Sequence, residues 1–210
     1  MKILVIEDDA DLCVEIIEYL ERRIIARSGD ASRAALLARD VHVLPEFIGN
    51  RSPYADPDTR AVIAGLDLDT DVASMERLFV AGLCGLAYGL ADVIEAFAAH
   101  GVRSSIMIMG GGASRSPLVR QIMADTTGLT VALPQTREPV LLGAAMLGAV
   151  AGGACASIGE TMAKMSALGG KSAPTAPDMA TFHASKRNVY KLLRDVDRSS
   201  RAAMGDVARG

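Results

Sequence analysis

The chain has 210 residues, half of them hydrophobic, with 4% aromatics, no Trp and a formal net charge of −3. That length suits one large domain or one and a half small ones, with a core built from Ala, Leu, Val, Ile and ten Met. The slightly acidic balance argues against general affinity for nucleic acid or anionic membranes.

In chain order, Lys2 to Ile6 reads as a short strand ending at the acids Glu7, Asp8 and Asp9. The apolar start is short and meets acids at once, which does not fit a signal peptide. Asp11 to Ala26 predicts a helix with Ile16, Leu20 and Ile24 on one face. Ser28-Gly29-Asp30 breaks it, and Ser32 to Leu37 suggests a second short helix. His42 to Phe47 looks extended, and Gly49 to Pro57 is a loop whose glycine and prolines exclude regular structure. A long helix is expected from about Ser74 to His100, stopped by Gly101, with Leu78, Phe79, Leu86, Leu90, Ile94 and Phe97 as its apolar stripe. Gly82, Gly85 and Gly89 form a small-residue face that would admit another backbone. The longest uncharged apolar run, Leu78 to Ala91, is too short to span a bilayer and reads as a buried helix.

Ser105 to Met109 predicts a strand, Pro117 to Thr127 a helix closed by Gly128, and Thr130 to Leu133 another strand. Pro139 to Val150 is small and apolar throughout, so a helix packed on most sides is expected. A further helix follows at Ile158–Met165. Residues 169–178 read as a linker and 179–210 as an amphipathic helix and tail. Cys13, Cys84 and Cys155 form no CxxC or metal pattern and read as reduced, mostly buried thiols of a cytosolic protein. The β-α-β-α order points to an α/β layered fold.

The strand, glycine run and helix entry at Ile106-Met-Ile-Met-Gly110-Gly111-Gly112-Ala113-Ser114-Arg115-Ser116-Pro117 carry the strongest chemical signal. Glycines permit positive φ and let a flat ligand lie against the main chain. Ser116 before Pro117 suits a helix start. Ligands of open α/β sheets bind beyond the carboxyl ends of strands, where this loop would sit. A plain tight turn and a nucleotide loop both fit the pattern.

Three segments together resemble the C-terminal domain of the FGGY carbohydrate kinases, in the pentulose, ribulokinase-like branch. They are Leu44 to Pro57, Met109 to Leu118 continuing to Gln121 and Asp125, and Glu138-Pro-Val-Leu-Leu-Gly-Ala-Ala145. The resemblance implies an α/β fold of the actin-like, ribonuclease-H-like ATPase type, truncated at its N-terminal strands and carrying a C-terminal helical extension. It covers residues 16–168 as a partial kinase domain. It also implies ATP and Mg²⁺ as cofactors, with Gly110, Gly111, Gly112 and Ala113 under the adenine and ribose. Ser116 would sit near the nucleotide, and Ser114 and Arg115 would be candidates for ribose or phosphate contacts. For both serines helix capping is the competing role. Arg51 could touch phosphate or an opposing lobe, or bridge to Asp56 or Asp58. Glu138 reads as a cap of the helix at Pro139, and Pro139-Val140 replaces the family's usual small pair.

The family's catalytic aspartate and sugar lobe have no counterpart in this sequence, so no catalytic residue is assigned, and no protein-held metal site. A pentulose would be a substrate only if the missing lobe were supplied. The readings are therefore an ATP-binding lobe inactive alone, or a noncatalytic remnant acting as an interaction module, as a homo-oligomer or with a partner chain. Neither nucleic acid nor membrane is expected as a partner, and the location is expected to be cytoplasmic. Residues 1–15 resemble the opening of a response-regulator receiver, in which Glu7, Asp8 and Asp9 would help hold Mg²⁺. A receiver also needs an acceptor aspartate at a strand end, and Asp56 lies in a Pro-rich loop instead.

Overall fold

A computed structural model describes residues 10–136 and 138–207. Lys2–Ile6 and Glu7, Asp8 and Asp9, read above as a strand and acidic turn, lie outside the described residues. Helix α1 (Ala10–Ser28) is followed by a 3-10 helix (Ala31–Ala38), β1 (His42–Leu44) and β2 (Val62–Ala64). Then come α2 (Val72–Ala99), β3 (Ile106–Ile108), a 3-10 turn (Gly112–Arg115), α3 (Pro117–Thr127) and β4 (Thr130–Pro134). The chain closes with α4 (Pro139–Ala151), α5 (Ile158–Met165), β5 (Leu168–Ser172) and α6 (Pro177–Val207). β1 and β2 form an antiparallel pair in the register Val43 to Ile63. The second sheet has the order β3-β4-β5, parallel between β3 and β4 and antiparallel between β4 and β5.

Caps set the helix boundaries. Asp30 accepts from the amides of Ser32 and Arg33, and Asp71 accepts from that of Ser74. α3 begins at Ser116 and Pro117 and ends on Gly128 at φ 70°, the left-handed conformation that only glycine adopts cheaply.

The core lies between α2, the first 3-10 helix, β1, α3 and α6, with Ile24, Leu44, Val80, Cys84, Leu118 and Tyr190 buried in it. α2 is long and apolar enough, by length and composition, to cross a membrane. Here it is the central core helix, and it carries the buried acids Glu76 and Asp92. Its buried face differs from the stripe of large residues expected from periodicity. Leu86 and Phe97 are exposed, whereas Ala81, Cys84, Gly85, Ala87 and Ala91 face inward. The reason is close approach: a Cβ on Gly85 would stand 2.3 Å from the Val43 carbonyl oxygen, so helix and strand fit only because none is there. Gly82 has no such neighbour, and Gly89 meets only the Tyr190 hydroxyl, so the small face works mainly through Gly85. On α1, Leu20 and Ile24 are buried as expected, but Ile16 is exposed.

Two further readings change. The expected linker at 169–178 contains β5, which pairs its Val131–Ser172 register with β4. The Gly and Ser content that suggests a linker is tolerated because β5 is an exposed edge strand. α4, expected to be enclosed, buries only Met146; Val140 is 83% and Leu141 66% exposed. Among the described residues α4 packs mainly on α5, so an all-apolar helix is left with an open face.

The tail helix α6 is part of the core, because buried polar groups pin it there. Asp92 of α2 accepts from Arg187 and Arg194, both at 2.5 Å, and from the Tyr54 hydroxyl. Burial opposes the Asp92 carboxylate, yet the two guanidinium hydrogen bonds outweigh it and hold its pKa below the usual value. Lys186 donates to the carbonyls of Ala38 and Val41, and Glu76 accepts from Arg23 and Arg27 of α1. Removing Asp92 leaves Arg194 largely buried without a carboxylate partner and Arg187 with Glu95 alone, so Asp92→Ala should cost about 3–5 kcal/mol. Urea unfolding measures this, and a loss below about 1 kcal/mol would show that the cluster does not hold α6.

His183 of α6 is 3% exposed; its Nδ1 lies 3.0 Å from the Tyr88 hydroxyl, and its Nε2 has no partner among the described residues. Burial lowers its pKa from 6.5 to about 4. The unfolded chain therefore binds the proton first, and stability falls as pH drops from about 6.5 to about 4, by roughly 3 kcal/mol in total. His183→Gln should flatten the stability–pH slope across that window; an unchanged slope would exclude His183 as its source.

Candidate functional site

The two adjacent parallel strands end side by side, so the loop after β3 and the loop after β4 face each other. The Met109 amide donates to the Ala132 carbonyl at 2.9 Å, which carries the pairing up to the first glycine. Pro139, at the start of α4, packs there: a Cβ on Gly110 would meet its Cγ at 3.3 Å. Between the loops lies an open cleft of about 630 Å³. Gly110, Gly111, Gly112, Ser114 and Arg115 line one side, and Leu133 to Thr136 with Glu138 to Val140 line the other.

The glycine loop is built for access. Gly111 has φ 84°, and a Cβ at Gly111 or Gly112 would find nothing within 4 Å. The amides of Gly110, Gly111 and Gly112 have no hydrogen-bond partner among the described residues. Bare backbone with open donors suits a flat, polar or anionic ligand. The turn beyond is held from behind: Ser114 donates its hydroxyl to the Gly111 carbonyl at 2.7 Å. Arg120 of α3 donates to the carbonyls of Ser114 and Arg115 at 2.6 and 3.0 Å.

The expected site residues divide accordingly. Gly110, Gly111, Gly112, Ser114 and Arg115 come together in the cleft; Ala113 and Ser116 do not line it. The Ser116 hydroxyl accepts from the Val119 amide and donates to Glu21 of α1 at 2.7 Å, so it caps α3 and ties it to α1. Arg51 is exposed, does not line the cleft and has no ion pair among the described residues. One anticipated partner is engaged elsewhere: Asp56 pairs with Arg201 at 2.8 Å and accepts from the Asp58 amide. Asn50 fixes that loop instead. It is buried, donates to Glu46 at 2.7 Å and accepts from the Tyr54 amide at 3.0 Å.

Glu138 does not cap α4 through its side chain. It stands in the cleft with no hydrogen-bond or ion-pair partner for its carboxylate among the described residues. Gln135 and Thr136 were not singled out by sequence, although the rule that sites form at adjacent strand ends would have found them once β3 and β4 were paired. Among the described residues no group of three or more His, Cys, Asp and Glu could hold a metal.

The C-terminal domain of the FGGY family of carbohydrate kinases matches residues 20–152. The chain belongs to the FGGY family of carbohydrate kinases. It is 38% identical over 194 residues to the human FGGY carbohydrate kinase domain-containing protein, covering 92% of this chain and 35% of that protein. A D-ribulokinase of Saccharomyces cerevisiae is 30% identical over 165 residues, with 78% of this chain and 22% of that one covered. Among solved structures, ligand-bound xylulose kinase from Lactobacillus acidophilus superposes with a TM-score of 0.67 at 21% identity, over 80% of this chain and 33% of that one. Plasmodium falciparum glycerol kinase with ADP gives 0.62 at 19%, over 86% and 36%. The fold is the actin-like ATPase fold of these kinases, mixed helix and sheet with a helical C-terminal region. This FGGY chain spans about a third of the length of relatives such as the human protein.

If Arg120 holds the glycine-loop turn from behind, Arg120→Ala should speed exchange of the hydrogen-bonded Ser114 and Ser116 amides severalfold while leaving α2 protected. Unchanged exchange there would show that the turn is rigid without it.

Proposed function

We propose that this FGGY chain is the nucleotide-holding wall of a pentulose kinase, binding ATP in the cleft between the β3 and β4 loops. The observation that carries this reading is the bare, unpartnered backbone at Gly110–Gly112 lining an open cleft. Family membership, with ATP as phosphoryl donor, the ADP of the Plasmodium falciparum glycerol kinase and the D-ribulokinase and xylulose kinase likenesses support the nucleotide and the sugar class. Gly110, Gly111, Gly112, Ser114 and Arg115 would hold the nucleotide, Arg115 as a cation for its phosphates. Mg²⁺ usually rides on nucleotide phosphates with few protein ligands; among the described residues Glu138 is the only carboxylate lining the cleft, so the metal would arrive with ATP.

Phosphoryl transfer needs nucleophile, metal and phosphates held in line. The cleft offers one wall of such an arrangement, and we infer that the chain alone binds ATP without phosphorylating a pentulose. A cytoplasmic setting accords with that substrate class.

Gly112→Val tests this cleanly, because a Cβ there meets nothing in the fold and the side chain would occupy the cleft. Calorimetric titration should show Mg·ATP binding to the wild type and at least about tenfold weaker binding to the variant, a loss of about 1.4 kcal/mol or more. Equal affinities, or steady phosphorylation of ribulose or xylulose by the chain alone, would contradict the proposal.

A further inference from the structure

α2 is apolar on two sides. Ala81, Cys84, Gly85 and Tyr88 face the core. On the opposite side Phe79, Leu83, Leu86, Leu90, Val93 and Phe97 recur at spacings of 4, 3, 4, 3 and 4, a helical stripe that no charged residue interrupts. Leu86 is 53% and Phe97 57% exposed, and the other four are only partly covered. A helix face turned permanently to water carries polar residues. This one is built to be covered.

The sheet stops short of that stripe. α3 packs on β4 and β5, while α2 packs beside α3, and the short connection 100–105 puts it on the β3 side. β3 is an edge strand. Ser105 accepts from Thr130 at 3.3 Å and Met109 donates to Ala132 at 2.9 Å. Alternation along the strand then directs the amides and carbonyls of Ile106 and Ile108 away from β4, where no strand pairs with them among the described residues. The Ile108 residue is 61% exposed. An open edge of this kind is a template for another strand. Helices pack ~8–10 Å apart and strands ~4.8 Å apart, so about two strands added beyond β3 would lie over the α2 stripe.

We propose that the β3 edge and the α2 stripe form one docking face for a β-strand segment supplied by kinase sequence outside these 210 residues. The segment pairs with Ile106–Ile108 and lays its apolar side chains on α2. Relatives have the chain to provide it, since only 35% of the human protein is matched here. A bilayer does not suit the face: α2 holds the acids Glu76 and Asp92, and a sheet edge in lipid leaves backbone groups unsatisfied. Nor does a second copy joined edge to edge, because the two overhanging α2 helices would claim the same space.

The test co-expresses the full chain with the N-terminal part of the human protein that precedes the matched segment. The two should copurify as a one-to-one complex, and the Ile106 and Ile108 amides, fast to exchange in the chain alone, should slow severalfold. Leu86→Asp and Ile108→Pro should each weaken the complex about tenfold or more. Both variants should fold, since Leu86 is exposed and proline removes only an outward-pointing amide; thermal unfolding checks this. Leu192→Asp, at a position 60% exposed on α6, should leave the complex unchanged. Failure to form a complex, or a complex indifferent to both stripe and edge variants, would overturn the proposal. So would a wild-type dimer that Leu86→Asp dissolves, which would make a second copy the occupant, or vesicle binding that it abolishes, which would make lipid the occupant. Slow exchange at Ile106 and Ile108 in the chain alone would mean that the chain fills its own edge, and would overturn it equally.

Discussion

The parallel pairing of β3 with β4 is the constraint on which the site depends. The register Ile106 to Thr130 through Ile108 to Ala132 brings two carboxyl ends to the same level. The glycine loop and the Leu133–Val140 segment then have no option but to face one another. Neither loop makes a cleft alone. A single glycine turn is flat and solvent-washed, and it becomes a ligand-sized hollow only when a second strand end stands beside it.

The glycine loop can afford its open amides because it is braced at its rear. Ser114 closes the turn on Gly111, and Arg120 holds two carbonyls from α3. α3 is itself fixed at its start, where Glu21 of α1 accepts from the Ser116 hydroxyl and the Leu118 amide. At its far end Asp125 accepts from the Thr175 amide and hydroxyl and from Gln121. The loop thus hangs from a helix that is tied to α1 at its start and to the segment before α6 at its end. Pre-organisation of this kind lowers the ordering cost of binding.

Polar pins of the same sort explain why α6 belongs to the fold rather than trailing from it. The Asp92 and Lys186 contacts join α6 to elements far from it in sequence, and Glu76 likewise joins α2 to α1. Each buried charge is compensated by hydrogen bonds, without which its burial would be unfavourable. α4 presents the opposite case. It carries apolar residues around its whole circumference and has only α5 as a close neighbour among the described residues, which leaves a hydrophobic face exposed.

Local chemistry was legible from sequence. Ser116 announces a helix start, Gly128 a helix end, and the glycine run a site where backbone is offered to a ligand; motif order also disclosed the FGGY family. These signals act over a few residues, through hydrogen bonds and φ preferences that neighbours scarcely alter. What tertiary structure decided was partnership. It turned the small face of α2 inward through one glycine contact at Gly85, recruited 168–172 as an edge strand, and left α4 open. It also moved Ser116 out of the candidate site and Glu138 into it. Such outcomes depend on which surfaces meet at a distance in the chain, and hydrophobic pattern is blind to that because burial is non-directional.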